Sequence, residues 1–158
     1  MKNRHIQRPR KSRPRVYIID DSLIFRAMLE TMVGEDAAFE ICGIASSCDE
    51  ARKDIKWVLP DIVLLDLNMP GTHGLSFLEE LSDYWHAMSI VVISGDARQG
   101  SEICGRAFDR GAVACFDKCE VIRSGRDLID LMHDLGEHRP LDDHFVSSAI
   151  TLPSVCYI

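Results

Sequence analysis

A chain of 158 residues, 46% hydrophobic and 27% charged, can bury a core without disulfides or a structural metal and has the composition of one ordinary globular domain. No apolar stretch approaches the roughly 20 residues that span a bilayer, and no signal-peptide pattern opens the sequence, so the cytoplasm is the expected compartment and no membrane partner is expected. The formal charge of −7 is unevenly divided: Met1 to Arg15 carries seven of the 18 basic residues and no acid, and the rest holds 25 acidic residues, a balance that argues against nucleic-acid binding by the body of the chain.

Residues 1–14 read as a basic, solvated, disordered arm, with contact to an anionic partner as the alternative. Val16-Tyr17-Ile18-Ile19 is a first apolar run. Ser22 is a good N-cap for a helix in which Phe25, Met28, Leu29, Met32 and Val33 form a buried stripe, and Gly34 supplies a stop. Phe39 to Ala45 reads as a second strand. Ser47 and Glu50 carry a capping-box signature for a helix to about Leu59, ended by Pro60. Ile62 to Asp66 is continuously apolar, as befits a central parallel strand covered on both faces.

Met69-Pro70-Gly71 marks a turn before a helix over Gly74 to Ser82. Ser89 to Ser94 is a fourth strand, followed by a helix near Gln99 to Arg110, and Ala112 to Phe116 is a fifth. Leu128, Leu131, Met132 and Leu135 mark the core face of a last helix from about Val121. Five β/α alternations within residues 15–136 predict a parallel sheet with helices on both faces. Residues 137–158 show no clear period and read as a tail or a truncated linker. The six cysteines form no C-x-x-C pair, and several lie inside strand or helix patterns, where a free thiol acts as a small hydrophobe.

Parallel strands bring their carboxyl ends to one sheet edge, where open α/β sheets place ligands. Here that edge collects Asp20 and Asp21 after the first strand, Asp66 after the third, Ser94 at the end of the fourth and Lys118 after the fifth. Three carboxylates repel one another, and a hard divalent cation such as Mg²⁺ relieves the repulsion while keeping positions for water and phosphate oxygens. A carboxylate can attack phosphorus to form an acyl phosphate. An ammonium and a hydroxyl can then neutralise and hold the phosphoryl oxygens.

Asp20-Asp21-Ser22, Asp66-x-x-Met69-Pro70-Gly71-x-x-Gly74, Ser94-Gly95 and Gly111-Ala112 leading to Lys118 together resemble the receiver domain of bacterial two-component response regulators, from about Arg15 to Gly136. The resemblance implies a flavodoxin-like doubly wound (βα)5 sandwich with a five-stranded sheet in the order 2-1-3-4-5. It implies that Asp66 accepts a phosphoryl group from a phosphohistidine on a sensor histidine kinase or phosphotransfer protein. Asp20, Asp21, Asp66 and the backbone carbonyl of Asn68 would hold Mg²⁺, and Ser94 and Lys118 would contact the phosphoryl. A surface would then switch for a downstream protein effector or a phosphorylation-dependent homodimer; no enzymatic turnover beyond this self-chemistry is expected.

Two positions depart from the family. The aromatic residue usual three positions before the lysine is Cys115, with Phe116 expected on the opposite face, in the core. The proline usual after the lysine is Cys119, which puts the path of that loop and the reach of Lys118 in question. These departures keep a phosphorylation-independent interaction module open, and the tail keeps open a receiver fragment of a transcription factor or effector enzyme. A phosphatase of the haloacid-dehalogenase type needs an aspartate two residues after its nucleophile, where Asn68 stands. A flavin-phosphate loop is disfavoured by Asp20-Asp21.

Overall fold

Continuously apolar strands can leave neither face in water, so each must be covered by helices on both sides. A computed structural model of the chain describes residues 13–70, 74–84, 88–97 and 101–137. Its elements are β1 (Arg15–Ile19), α1 (Leu23–Gly34), β2 (Glu40–Ala45), α2 (Cys48–Val58), β3 (Ile62–Leu65), α3 (Gly74–Tyr84), β4 (Ser89–Ser94), α4 (Glu102–Phe108), β5 (Ala112–Asp117), α5 (Lys118–Arg123) and α6 (Arg126–Glu137). Every strand pair is parallel and the order is β2-β1-β3-β4-β5, the expected flavodoxin-like winding. Most of the basic arm, the residues after 137, Gly71 and Gln99 lie outside the described residues.

The pleat divides the core in two. Tyr17, Ile19, Val63, Leu65, Ile90 and Val92 face Ala51 and Ile55 of α2, Phe77, Leu78 and Leu81 of α3 and Ala107 of α4. Val16, Ile18, Ile62, Leu64, Val91 and Ile93 face Phe25, Leu29 and Val33 of α1, Val121 of α5 and Leu128, Leu131 and Met132 of α6. Both outer strands carry a register shift, between Val16 and Tyr17 opposite β2 and between Ile90 and Val91 opposite β5. At the first, the Cys42 thiol donates to the Val16 carbonyl at 3.3 Å. Burial pushes that thiol up to about 11, which keeps it protonated as a donor.

Three local expectations are corrected. Gly34 does not stop α1: the helix includes it and is capped by Glu35 in right-handed conformation, because Asp36 makes the turn, bonding its N–H to the Val33 carbonyl and taking the Ala38 N–H on its carboxylate. The capping box is displaced: Ser47 Oγ accepts the Glu50 N–H at 3.1 Å, but the Glu50 carboxylate reaches Ser46, taking its N–H at 2.6 Å and its hydroxyl at 2.7 Å. The last helix is two, α5 and α6, since Ser124 is extended and Gly125, a weak helix former, follows it.

Tyr17 lies fully buried, its hydroxyl donating to Asp54 Oδ1 of α2 at 2.5 Å, and its ring sits over Gly43 of β2. A methyl group on Gly43 would stand 2.2 Å from Tyr17 Cε2. Gly43→Ala is therefore expected to destabilise the chain by about 1–3 kcal/mol through overpacking, read as a lower urea midpoint at unchanged slope.

Candidate functional site

The register of β1, β3, β4 and β5 sets their carboxyl ends side by side. Asp20 and Asp66 each follow a strand by one residue, and the Asp66 N–H bonds to the Ile19 carbonyl at 2.9 Å. Ser94 is the last residue of β4 and pairs with Asp117, the last of β5. Lys118 opens α5. Asp20, Asp66 and Ser94 are all buried.

The two carboxylates are held in the same way. Asp20 Oδ1 accepts the Ser22 N–H at 2.8 Å, and Asp66 Oδ1 accepts the Asn68 N–H at 2.9 Å, each bond spanning two residues. Both Oδ2 atoms then face one cation: Lys118 Nζ lies 2.7 Å from Asp20 Oδ2 and 2.7 Å from Asp66 Oδ2. Burial pushes the Asp20 carboxyl up, and the Lys118 ammonium pulls it back only in part because the Asp66 charge adds to the rise. Burial also works against the charge on Lys118, but its hydrogen bonds and charge pairing with Asp20 and Asp66 prevail and hold the ammonium above the usual lysine range.

Asp21 is exposed, and ligand oxygens of Asp20, Asp21 and Asp66 lie within 4.8 Å of one another. Three hard oxygen donors, one at the solvent edge, fit a cation such as Mg²⁺ that keeps several waters. Ser94 Oγ is, among the described residues, the one buried side-chain polar atom without a hydrogen-bond partner. Leaving such a hydroxyl unsatisfied costs about 1–3 kcal/mol, so its position suits an incoming acceptor. It does not cap the next helix, which Ser101 does. Asn68 carries its side chain to the neighbouring loop, donating from Nδ2 to Asp96 Oδ2 at 2.9 Å. Gly74 lets α3 begin against the loop backbone: an added Cβ would meet Leu67 Cα at 2.6 Å.

At the two departures, Cys115 is buried with the α2–α4 side of the core and Phe116 with the opposite side, as the pleat requires. The loop after Lys118 is no obstacle to the lysine. No described peptide is cis, α5 starts at Lys118 itself, and Nζ reaches both carboxylates.

Sequence reasoning missed four residues around the site. The ring of Phe25, read as core, lies 4.7 Å from Lys118 Nζ and offers it a cation–π contact. Arg26 donates to the Asp20 carbonyl at 2.6 Å, six residues back, a contact with no local signal. Asp96 holds Asn68. Asp117 accepts the Cys119 N–H at 2.7 Å, and here a signal existed, since aspartate at a strand-to-helix junction is a preferred cap.

The profile of the response regulator receiver domain matches residues 16–130. A protein-glutamate methylesterase/protein-glutamine glutaminase of Hydrogenovibrio crunogenus is 38% identical over 102 residues, which are 65% of this chain and 27% of that protein. The chain thus spans less than a third of the length of that curated relative. Among solved structures, the response regulator domain of Thermotoga maritima CheB superposes with a TM-score of 0.69 at 20% identity, covering 83% of this chain and 99% of that one. A structure of the P1 domain of CheA3 in complex with CheY6 from R. sphaeroides matches with a TM-score of 0.67 at 26% identity over 78% of this chain and 97% of that one. By the extent of the profile match and the sheet order, this chain belongs to the response regulator receiver domain family.

Proposed function

We propose that this domain accepts a phosphoryl group on Asp66 from a phosphohistidine of a sensor kinase or phosphotransfer protein, with Mg²⁺, and passes the change to a protein partner. The observation that carries the reading is the pair of buried carboxylates joined through one ammonium, together with a buried hydroxyl that has no hydrogen-bond partner among the described residues.

With Oδ1 of Asp66 held by Asn68, Oδ2 is the nucleophile. An Oδ2–P bond forms as the donor's P–N bond breaks, and the imidazole leaves with the electron pair and takes up a proton. Lys118 shifts from carboxylate to phosphoryl oxygen, and Ser94 Oγ donates to another. Asp20, Asp21, Asp66 and the Asn68 carbonyl would hold the metal, which when bound neutralises charge on the transferring oxygens. Leu23 and Ile24 open α1, just after the acidic pair, and Ile122 lies one turn beyond Lys118; all three are exposed and give the site an apolar rim for a docking donor.

A second reading, phosphorylation-independent binding, is favoured only by Cys115 standing where the family has an aromatic ring. The relatives' greater length supports a third, that this chain is the receiver portion of a longer effector.

With Mg²⁺ and acetyl phosphate, intact mass is expected to rise by one hydroxylamine-labile phosphoryl group, and not after EDTA or in Asp66→Asn. No gain together with no Mg²⁺-dependent response to beryllofluoride would overturn the proposal. Lys118→Ala should lower the metal-free unfolding free energy by about 3 kcal/mol, since it strands two buried carboxylates. Mg²⁺ should restore most of that loss, and urea titrations with and without the metal check it.

A further inference from the structure

Only four polar or charged residues are buried among those described: Asp20, Asp66, Ser94 and Asp117. The first three line the site. Asp117 does not belong to the carboxylate cluster, which comprises Asp20, Asp21 and Asp66. A buried carboxylate needs a physical reason, and its hydrogen bonding supplies one. The chain leaves β5 at Asp117, whose backbone is extended (φ −75, ψ 131), and is helical from Lys118 onward. The Cys119 N–H, in the first turn of α5, has no carbonyl of its own helix to bond. Asp117 Oδ1 takes it at 2.7 Å. A proline at this position would leave no N–H to satisfy; the cysteine supplies one, and the Asp117 carboxylate takes it.

We propose that Asp117 is a positioning residue for Lys118: by capping the Cys119 N–H it fixes the strand-to-helix turn from which the Lys118 ammonium reaches Asp20 and Asp66. Lys118 is the residue between the cap and the capped N–H, so any opening of this turn displaces the root of its side chain. The base of the turn is anchored, because Asp117 is paired in register with Ser94. A displacement of about 1 Å in a positioning element can lower a rate by ~10²-fold. The phosphoryl arm of the test rests on the proposed function, whereas the labelling arm does not.

The decisive comparison separates the cap from the charge. Asp117→Asn keeps a capping side chain and removes the charge; Asp117→Glu keeps the charge on a side chain that caps poorly. Accessibility of Lys118 is read by an amine-reactive N-hydroxysuccinimide ester and peptide mass spectrometry on the full chain. Labelling should match the parent in Asp117→Asn and rise roughly fivefold in Asp117→Glu, the population change that loss of one cap produces. Phosphoryl uptake from acetyl phosphate should fall roughly 10- to 100-fold in Asp117→Glu and stay near the parent in Asp117→Asn. In a Lys118→Ala background, Asp117→Glu should change uptake no further.

Equal labelling in parent and Asp117→Glu would overturn the proposal, as would loss in both variants, which would mark a role for charge. Should Asp117→Glu not fold, Asp117→Ala replaces it with the same expectations. A chain that folds with Asn but with neither Glu nor Ala would make the cap a requirement of the fold and overturn the assignment to Lys118. A parent that takes up no phosphoryl while labelling follows the expected pattern would sink the proposed function and leave the role of Asp117 standing.

Discussion

Two carboxylates buried side by side are tolerable only if a cation sits between them, and in this domain that cation is the ammonium of Lys118. Taking two carboxylates out of water costs several kcal/mol per ion, and their mutual repulsion adds to it. A parallel sheet is the scaffold that makes this arrangement possible, because all strands deliver their ends, and all following helices their N-termini, to the same edge. Each N-terminus adds positive partial charge to the edge that collects the aspartates. The unfavourable part of the site is therefore confined to one rim, and the remaining strand residues are free to be apolar on both faces.

The strand-end aspartates share one device. Asp20, Asp66 and Asp117 each bond the backbone N–H two residues further on. The bond fixes the carboxylate and the exit direction of the chain together, so orientation of the acid and geometry of the loop are one choice. At β1 and β3 the second oxygen is left for Lys118. At β5 the same turn presents Lys118 itself. Cys115 alters a different link. A thiol offers little volume and no ring to swing, so this side of β5, packed against α4, carries no aromatic side chain at the position where the family has one.

The architecture was legible because its signals are local and repeated. Four apolar runs of four or five residues, the cap at Ser22 and the helical stripe at Phe25, Leu29 and Val33 all appear where the pattern puts them. The opposite faces of Cys115 and Phe116 also followed from the pleat, since the register shift of β5 lies upstream of both. Among the site residues, the acids, hydroxyl and lysine could be named because strand ends converge by topology. What could not be read has no local signal: the Phe25 ring beside Lys118 and the Asn68–Asp96 bridge join elements distant in sequence, and the Arg26 bond to the Asp20 carbonyl loops back six residues outside any helical pairing. Gly34 misled for a complementary reason. Glycine permits a left-handed stop without demanding one, and Asp36 supplied a better turn.

The contact between Tyr17 and Gly43 bears on how the sheet assembles. Among the described residues β2 is an edge strand joined to the sheet by β1 alone, and apart from Ala45 its residues are exposed or only partly buried, so hydrophobic pattern specifies its alignment weakly. Only at Gly43 does the strand lack a side chain, and there the Tyr17 ring takes up the space that a side chain would need. A slip of one residue would bring Cys42 or Ile44 beneath the ring. The tyrosine thus acts as a gauge for strand docking, admitting one alignment of β2 and rejecting its neighbours by bulk.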